Sequence, residues 1–226
     1  RRTADDTDPT ERVVVANADQ LLIVVALADP PPRTGFVERS LIAAYAGGLK
    51  PILCLTKTDL APAEPFAAQF ADLDLTVLTA GRDDALDAVS PLLTDRLTVF
   101  LGHSGVGKST LVNRLVPEAD RATGEVSGVG KGKHTSTQSV ALPLRDGGWV
   151  IDTPGVRSFG LAHIEPDDVV QAFSDLAEAV ADCPRGCGHM GPPADPECAL
   201  DELTGPAAGR VAAARRLLAV LREGDP

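Results

Sequence analysis

Residues 97–116 read LTVFLGHSGVGKSTLVNRLV. An apolar run of strand length, 97–101, passes into a glycine-rich turn and then into 109–116, whose apolar residues recur at helical spacing. The turn, Gly102-His103-Ser104-Gly105-Val106-Gly107-Lys108-Ser109, fits G-x-x-x-x-G-K-[ST] and sits between strand and helix, as a phosphate-binding loop requires. With glycine at about 7% of residues, such a match arises by chance roughly once in tens of thousands of positions. Its glycines let backbone N–H groups turn toward phosphate oxygens, and the following helix adds the positive end of its dipole. The run from Gly102 to Thr110 is therefore the candidate phosphate cradle. Within it Lys108 bridges β- and γ-phosphates and the Ser109 hydroxyl ligates Mg²⁺.

Working outward, Asp152-Thr153-Pro154-Gly155 closes the apolar run 149–151. A carboxylate at a strand end beside such a loop holds Mg²⁺ through water, and the Gly155 N–H reaches a γ-phosphate. Upstream, Thr56-Lys57-Thr58-Asp59 follows directly on an apolar strand, 51–55. Asp59 can accept both N1–H and the exocyclic amine of guanine, a pair that adenine does not offer. Lys57 can lie along the base with its aliphatic stem. Thr79-Ala80, ending the next strand, can present a backbone N–H to the guanine oxygen.

The remaining pattern alternates strands with helices. Strands are expected at 21–28, 51–55, 75–78 and 97–101, with a hairpin at 140–144 and 149–151 around Asp146-Gly147-Gly148. Helices are expected at 35–45, 83–93, 109–116 and 166–180, and a last one carries Val211, Ala214, Leu218 and Leu221. This pattern implies an α/β fold, a mostly parallel sheet with helices on both faces.

Composition narrows the function. Lys+Arg 21 against Asp+Glu 32 leaves a net charge of −11, so the chain does not bind polyanions through bulk charge. Aromatics are 4% of residues, too few for base-stacking platforms. The longest apolar run is 21–28, well short of the ~20 residues of a membrane span, and no signal-peptide pattern opens the chain. A cytoplasmic protein with no membrane partner, and a monomer, is expected. The sequence starts at Arg1 rather than Met, which suggests an upstream segment.

Three of the four cysteines crowd into 183–198. Cys183-x₃-Cys187-x-His189-x₈-Cys198 supplies a Cys₃His set suited to tetrahedral Zn²⁺. Four protein ligands leave no open coordination position, so the site reads as structural. Cys54, in an apolar strand, reads as a small core residue.

Motif order identifies the family. Ordinary GTPases place the phosphate loop first and base recognition late. Here base recognition (56–59, 79–80) precedes the phosphate loop (102–109), a switch region (127–137) and DTPG (152–155). The chain resembles a circularly permuted GTPase of the ribosome small-subunit-dependent GTPase A family. The resemblance runs from VANADQ (15–20) to Leu221 and includes GHSGVGKSTLVN, GKGKHTST (130–137), DTPGVRSFGL and the cluster ending Cys198-Ala199-Leu200.

That resemblance implies slow hydrolysis of GTP to GDP and phosphate, assistance to late maturation of the small (30S) subunit with contacts to 16S rRNA, and stimulation by that subunit. It also implies three parts: an N-terminal OB-type barrel, a permuted GTPase domain and a C-terminal zinc domain. On this scheme 1–12 is a linker remnant, 13–162 the GTPase domain and 163–226 a small helical zinc-binding domain. The barrel is expected to lie outside this sequence. RNA contacts made mainly by the barrel fit with the acidic charge found here.

Two departures stand out. Thr56 occupies the place of the family's usual Asn, whose carboxamide bonds both base and phosphate loop; losing one such bond costs about 0.5–1.5 kcal/mol. The spacings within the Cys/His cluster also differ from the family's. Hydrolysis further needs a water held in line with the γ-phosphate, and the position after Gly155 is Val156, which cannot hold one. His134 matches the family's catalytic His. Thr135 or Thr137 is the second Mg²⁺ ligand, and the sequence does not choose between them. A metabolic P-loop ATPase or kinase is disfavoured by Asp59 and by motif order. A GTP-dependent ribosome- or RNA-binding module with negligible turnover is the alternative that Val156 keeps open.

Overall fold

The computed structural model describes residues 15–73, 75–82, 84–117, 139–155 and 160–223. The expected linker, the switch segment with His134, Thr135 and Thr137, and Val156 lie outside the described residues.

A six-stranded sheet has the order β3-β2-β1-β4-β6-β5. The strands are β1 (Gln20–Ala26), β2 (Lys50–Thr56), β3 (Thr76–Ala80), β4 (Leu97–Gly102), β5 (Val140–Pro143) and β6 (Trp149–Asp152). All neighbours pair parallel except β5, which returns antiparallel to β6 in the hairpin expected from Asp146-Gly147-Gly148. The chain winds outward from β1 to β3, then restarts at β4 on the other side of β1. Strand order therefore reverses between β1 and β4, the place where open α/β sheets bind ligands at their C-terminal edges.

Every residue of β1 is buried, because successive side chains enter two different cores. Leu21, Ile23 and Val25 join one apolar cluster with Val37, Leu41 and Ile42 of α1 (Thr34–Ala46). Leu22, Val24 and Ala26 join the other with Leu111, Val112 and Leu115 of α4 (Lys108–Leu115). Cys54 lies in the second cluster, where burial pushes its thiol up to about 12, consistent with a core residue.

The first cluster continues into the C-terminal part. Here α5 (Pro166–Val170), α6 (Ser174–Ala179) and α7 (Pro206–Glu223) form a further layer, with α5 and α7 against α1. Leu176, Leu200, Val211, Leu217 and Leu218 belong to the same buried set as Leu41. Arg210 of α7 donates to Asp175 of α6 at 2.8 Å from Nε. That guanidinium holds the Asp175 carboxyl below the usual carboxylate range, so the contact stabilises at neutral pH and is lost as pH falls through the lowered value. Among the described residues no helix is long and apolar enough to cross a membrane.

A four-residue α2 (Glu64–Ala67) follows β2, and two expected helices are shorter than their patterns suggest. In place of a helix over 83–93 stand a 3-10 turn at Leu86–Ala88 and the four-residue α3 (Ser90–Leu93), with extended Ala85 before them and Pro91 in the first turn. The expected helix 166–180 breaks between α5 and α6, where Phe173 is extended. Its ring is buried and meets Tyr45 of α1 edge-on, with centroids 5.0 Å apart. Burying that ring prevails over helical continuity. Proline at the start of α5 and a reciprocal Glu165–Asp168 capping box fix where that helix begins.

Candidate functional site

The phosphate-loop motif leaves β4 at Gly102 and enters α4 at Lys108. Gly105 and Gly107 take left-handed backbone, at φ +84° and +89°, which side chains rarely tolerate. His103 stacks at a tilt on Phe36 of α1, with ring centroids 4.1 Å apart. Ser109 and Thr110 lie in the first turn of α4. The buried Lys108 ammonium donates to Asp152 and, at 2.5 Å, to the Thr153 carbonyl. The Thr153 hydroxyl in turn donates to the Phe100 carbonyl at 2.6 Å. A Cβ on Gly155 would stand 3.2 Å from the Ser104 nitrogen, so the fourth residue of DTPG lies directly against the loop backbone. The sequence-predicted Lys108, Asp152 and Gly155 are thus brought together.

The base-recognition candidates close the other side. β2 ends at Thr56, in register with Ala26 of β1 and Ala80 of β3. The buried Thr56 hydroxyl donates to the Val106 carbonyl at 2.6 Å, with the Val25 carbonyl 3.3 Å away. The departure at this position therefore keeps the tether to the phosphate loop, in the shorter reach of a threonine. Lys57 adopts left-handed backbone, φ +57°, a strain that clusters at functional sites, and its ammonium donates to the Asp29 carbonyl. A Cβ on Gly81 would meet the Thr58 hydroxyl oxygen at 2.8 Å, so the residues after Thr79 and Ala80 abut the TKTD turn. Between the two motifs opens a cleft of about 330 Å³, lined among others by Asp59, Ala80, Gly107, Thr110 and Arg114.

A second constellation lies in the C-terminal part. The ligand atoms of Cys183, Cys187, His189 and Cys198 all lie within 4.8 Å of one another, a spacing that suits the shell of one small cation. The Cys183 sulfur is 3.6 Å from His189 Nδ1. Burial foremost, with neighbouring Cys198 and Cys183, pushes the Cys187 thiol up to about 12, so a thiolate there calls for a compensating cation. Sequence reasoning missed the group behind His189. Asp167 of α5 sits 2.9 Å from Nε2, which leaves Nδ1 facing the sulfurs. Asp167 lies 22 positions away and reads as an ordinary acidic first-turn residue, so no local pattern singles it out. Asp195 accepts from the Gly188 and Met190 N–H groups, which hold its carboxyl below the usual range. Arg215 of α7 donates to the His189 carbonyl at 3.0 Å and pairs with Asp201. These bonds fasten the cluster to α7.

Thr56→Val removes the donor to the Val106 carbonyl without changing side-chain volume much. Urea unfolding should show a loss of about 1 kcal/mol, with Thr56→Ser closer to the parent; equal stability of Thr56→Val and parent would contradict the tether.

Comparison with known proteins places the chain in a lineage. A family model described as RsgA GTPase matches residues 1–162. A protein named small ribosomal subunit biogenesis GTPase RsgA from Burkholderia mallei (strain SAVP1) is 40% identical over 218 residues, covering 92% of this chain and 67% of that relative. One of the same name from Chromohalobacter salexigens is 39% identical over 196 residues, covering 83% and 56%. Among solved structures, YloQ, a circularly permuted GTPase, aligns with TM-score 0.62 and 26% identity over 92% of this chain and 69% of its own. YjeQ from Thermotoga maritima shares the fold, with TM-score 0.61 and 24% identity over 90% and 73%. With TKTD ahead of its G-x-x-x-x-G-K-S loop, the chain belongs to the RsgA GTPase family.

Proposed function

We propose that the chain hydrolyses GTP to GDP and phosphate in the biogenesis of the small ribosomal subunit, with hydrolysis stimulated by that subunit. The observation that carries this reading is the meeting of phosphate loop, TKTD turn and DTPG at one sheet edge, with a cleft opening between the loop and TKTD. The relatives' printed name supports the ribosomal assignment.

In this reading the backbone from Gly102 to Thr110 wraps the phosphates, and Lys108 exchanges Asp152 and Thr153 for phosphate oxygens. Asp59 reads the guanine N1–H and amine, flanked by Thr56, Lys57 and Thr58, while Thr79-Ala80 offers its backbone to the base oxygen. Ser109 in the first turn of α4 and Asp152 at the end of β6, two hard oxygen donors, fit Mg²⁺, with Thr135 or Thr137 as the further ligand. Mg²⁺ when bound neutralises charge on the β- and γ-phosphates. Gly155 donates its N–H to the γ-phosphate. His134 orients a water whose oxygen bonds to the γ-phosphorus as the bond to the bridging oxygen breaks. Cys183, Cys187, His189 and Cys198 fit Zn²⁺ and hold the C-terminal part together. Residues 13–162 form the nucleotide domain and 163–226 the zinc-bearing one, in a cytoplasmic monomer that contacts 16S rRNA.

Val156 favours a second reading, binding with negligible turnover. Single-turnover hydrolysis with purified small subunits separates the two. The proposal expects stimulation by the subunit, and a loss of about 10²-fold or more in His134→Ala at unchanged nucleotide affinity. An unstimulated rate, or an unchanged rate in the variant, contradicts it. For the metal site, Asp167→Ala should weaken Zn²⁺ retention by about 10- to 100-fold, measured by chelator competition. Equal retention would remove Asp167 from the site.

A further inference from the structure

Arg114, near the end of α4, is not part of any motif, yet its guanidinium joins the two halves of the cleft. Its Nη1 donates to the Gly81 carbonyl at 2.8 Å, and its Nη2 donates to the Asp84 carbonyl. Those carbonyls stand at the two ends of one turn. The Asp84 carboxylate accepts from the Gly81 N–H at 2.6 Å, and the Asp84 N–H donates back to the Gly81 carbonyl at 3.4 Å. The turn follows immediately on Ala80, the last residue of β3, and packs against Thr58 at Gly81. Arg114 and Ala80 both line the cleft. A planar guanidinium can hold two carbonyls in fixed geometry, whereas an ammonium on a flexible stem acts as a point charge.

We propose that Arg114 is a positioning residue for base recognition, holding the Gly81–Asp84 turn so that the Ala80 N–H faces the 6-oxygen of guanine. The inference rests on the guanine-nucleotide reading of the cleft. It separates base recognition into two sides. Asp59 reads the N1–H and the 2-amino group from the TKTD turn. The end of β3, held by α4 through Arg114, reads the 6-position. The same helix that begins at the phosphates thus ends by setting the base loop, which fixes the distance between phosphate and base subsites.

The test uses the full chain and displacement of a fluorescent GDP by GDP, 6-thio-GDP, IDP and ADP. IDP lacks the 2-amino group, and the sulfur of 6-thio-GDP is a weaker acceptor than oxygen. Arg114→Ala should weaken GDP on the order of tenfold, the effect of losing charged hydrogen bonds. Its preference for GDP over 6-thio-GDP should fall toward one, with the preference for GDP over IDP unchanged. Arg114→Lys should recover only part of the loss. If Arg114→Ala does not fold, Arg114→Lys and Arg114→Gln carry the same comparison. Parent-like discrimination at the 6-position in these variants overturns the proposal, as does equal weakening of all four nucleotides. A parent chain that does not prefer GDP to ADP overturns instead the guanine reading beneath it.

Discussion

A lysine ammonium with only 7% of its residue surface exposed must find oxygen partners, and the arrangement of the site follows from where Lys108 finds them. Its partners are the Asp152 carboxylate and the Thr153 carbonyl at the end of β6. That contact draws DTPG against the phosphate loop, with Thr153 bonded back to Phe100 of β4. On the opposite flank, Thr56 holds the loop through Val106. The loop is thereby held from both sides by the ends of β2 and β6, although β1 lies between β2 and β4.

Helix α1 gives this arrangement its backing. Its Phe36 meets His103 of the loop, its apolar residues share one buried cluster with β1, and it also contacts α5 and α7. The Cys/His cluster is fastened to α7 by Arg215 and to α5 by Asp167. The glycine-rich loop and the helices that hold the candidate metal site thus both touch α1. The continuous buried cluster from β1 to α7 means that the C-terminal part shares its core with the sheet.

Much of this was legible where chemistry is local. The strand–loop–helix around Lys108 depends on consecutive residues, and all six strands were visible as apolar runs or hairpin signals. The Cys/His set was readable because three of its members fall within seven residues, Cys183 to His189, and Cys198 follows closely. What escaped depends on contacts across the chain. The break before α6 is set by Phe173 reaching Tyr45, which no periodicity records. Asp167 and Arg114 act on residues 22 and 33 positions away, and each reads locally as an ordinary helix-terminal charge. Thr56 shows the same limit in another way. Its type suggested a lost bond, and only the geometry reveals that the hydroxyl keeps the loop side of that bond.

The central claim is that TKTD and the phosphate loop form one guanine-nucleotide site. The most direct measurement is displacement of a fluorescent guanine nucleotide from the Mg²⁺-loaded chain by GTP, GDP or ATP, with Asp59→Asn alongside. The account predicts that GTP and GDP compete, that ATP does not, and that the variant loses this preference. Equal competition by ATP, or an unchanged preference in Asp59→Asn, would contradict it.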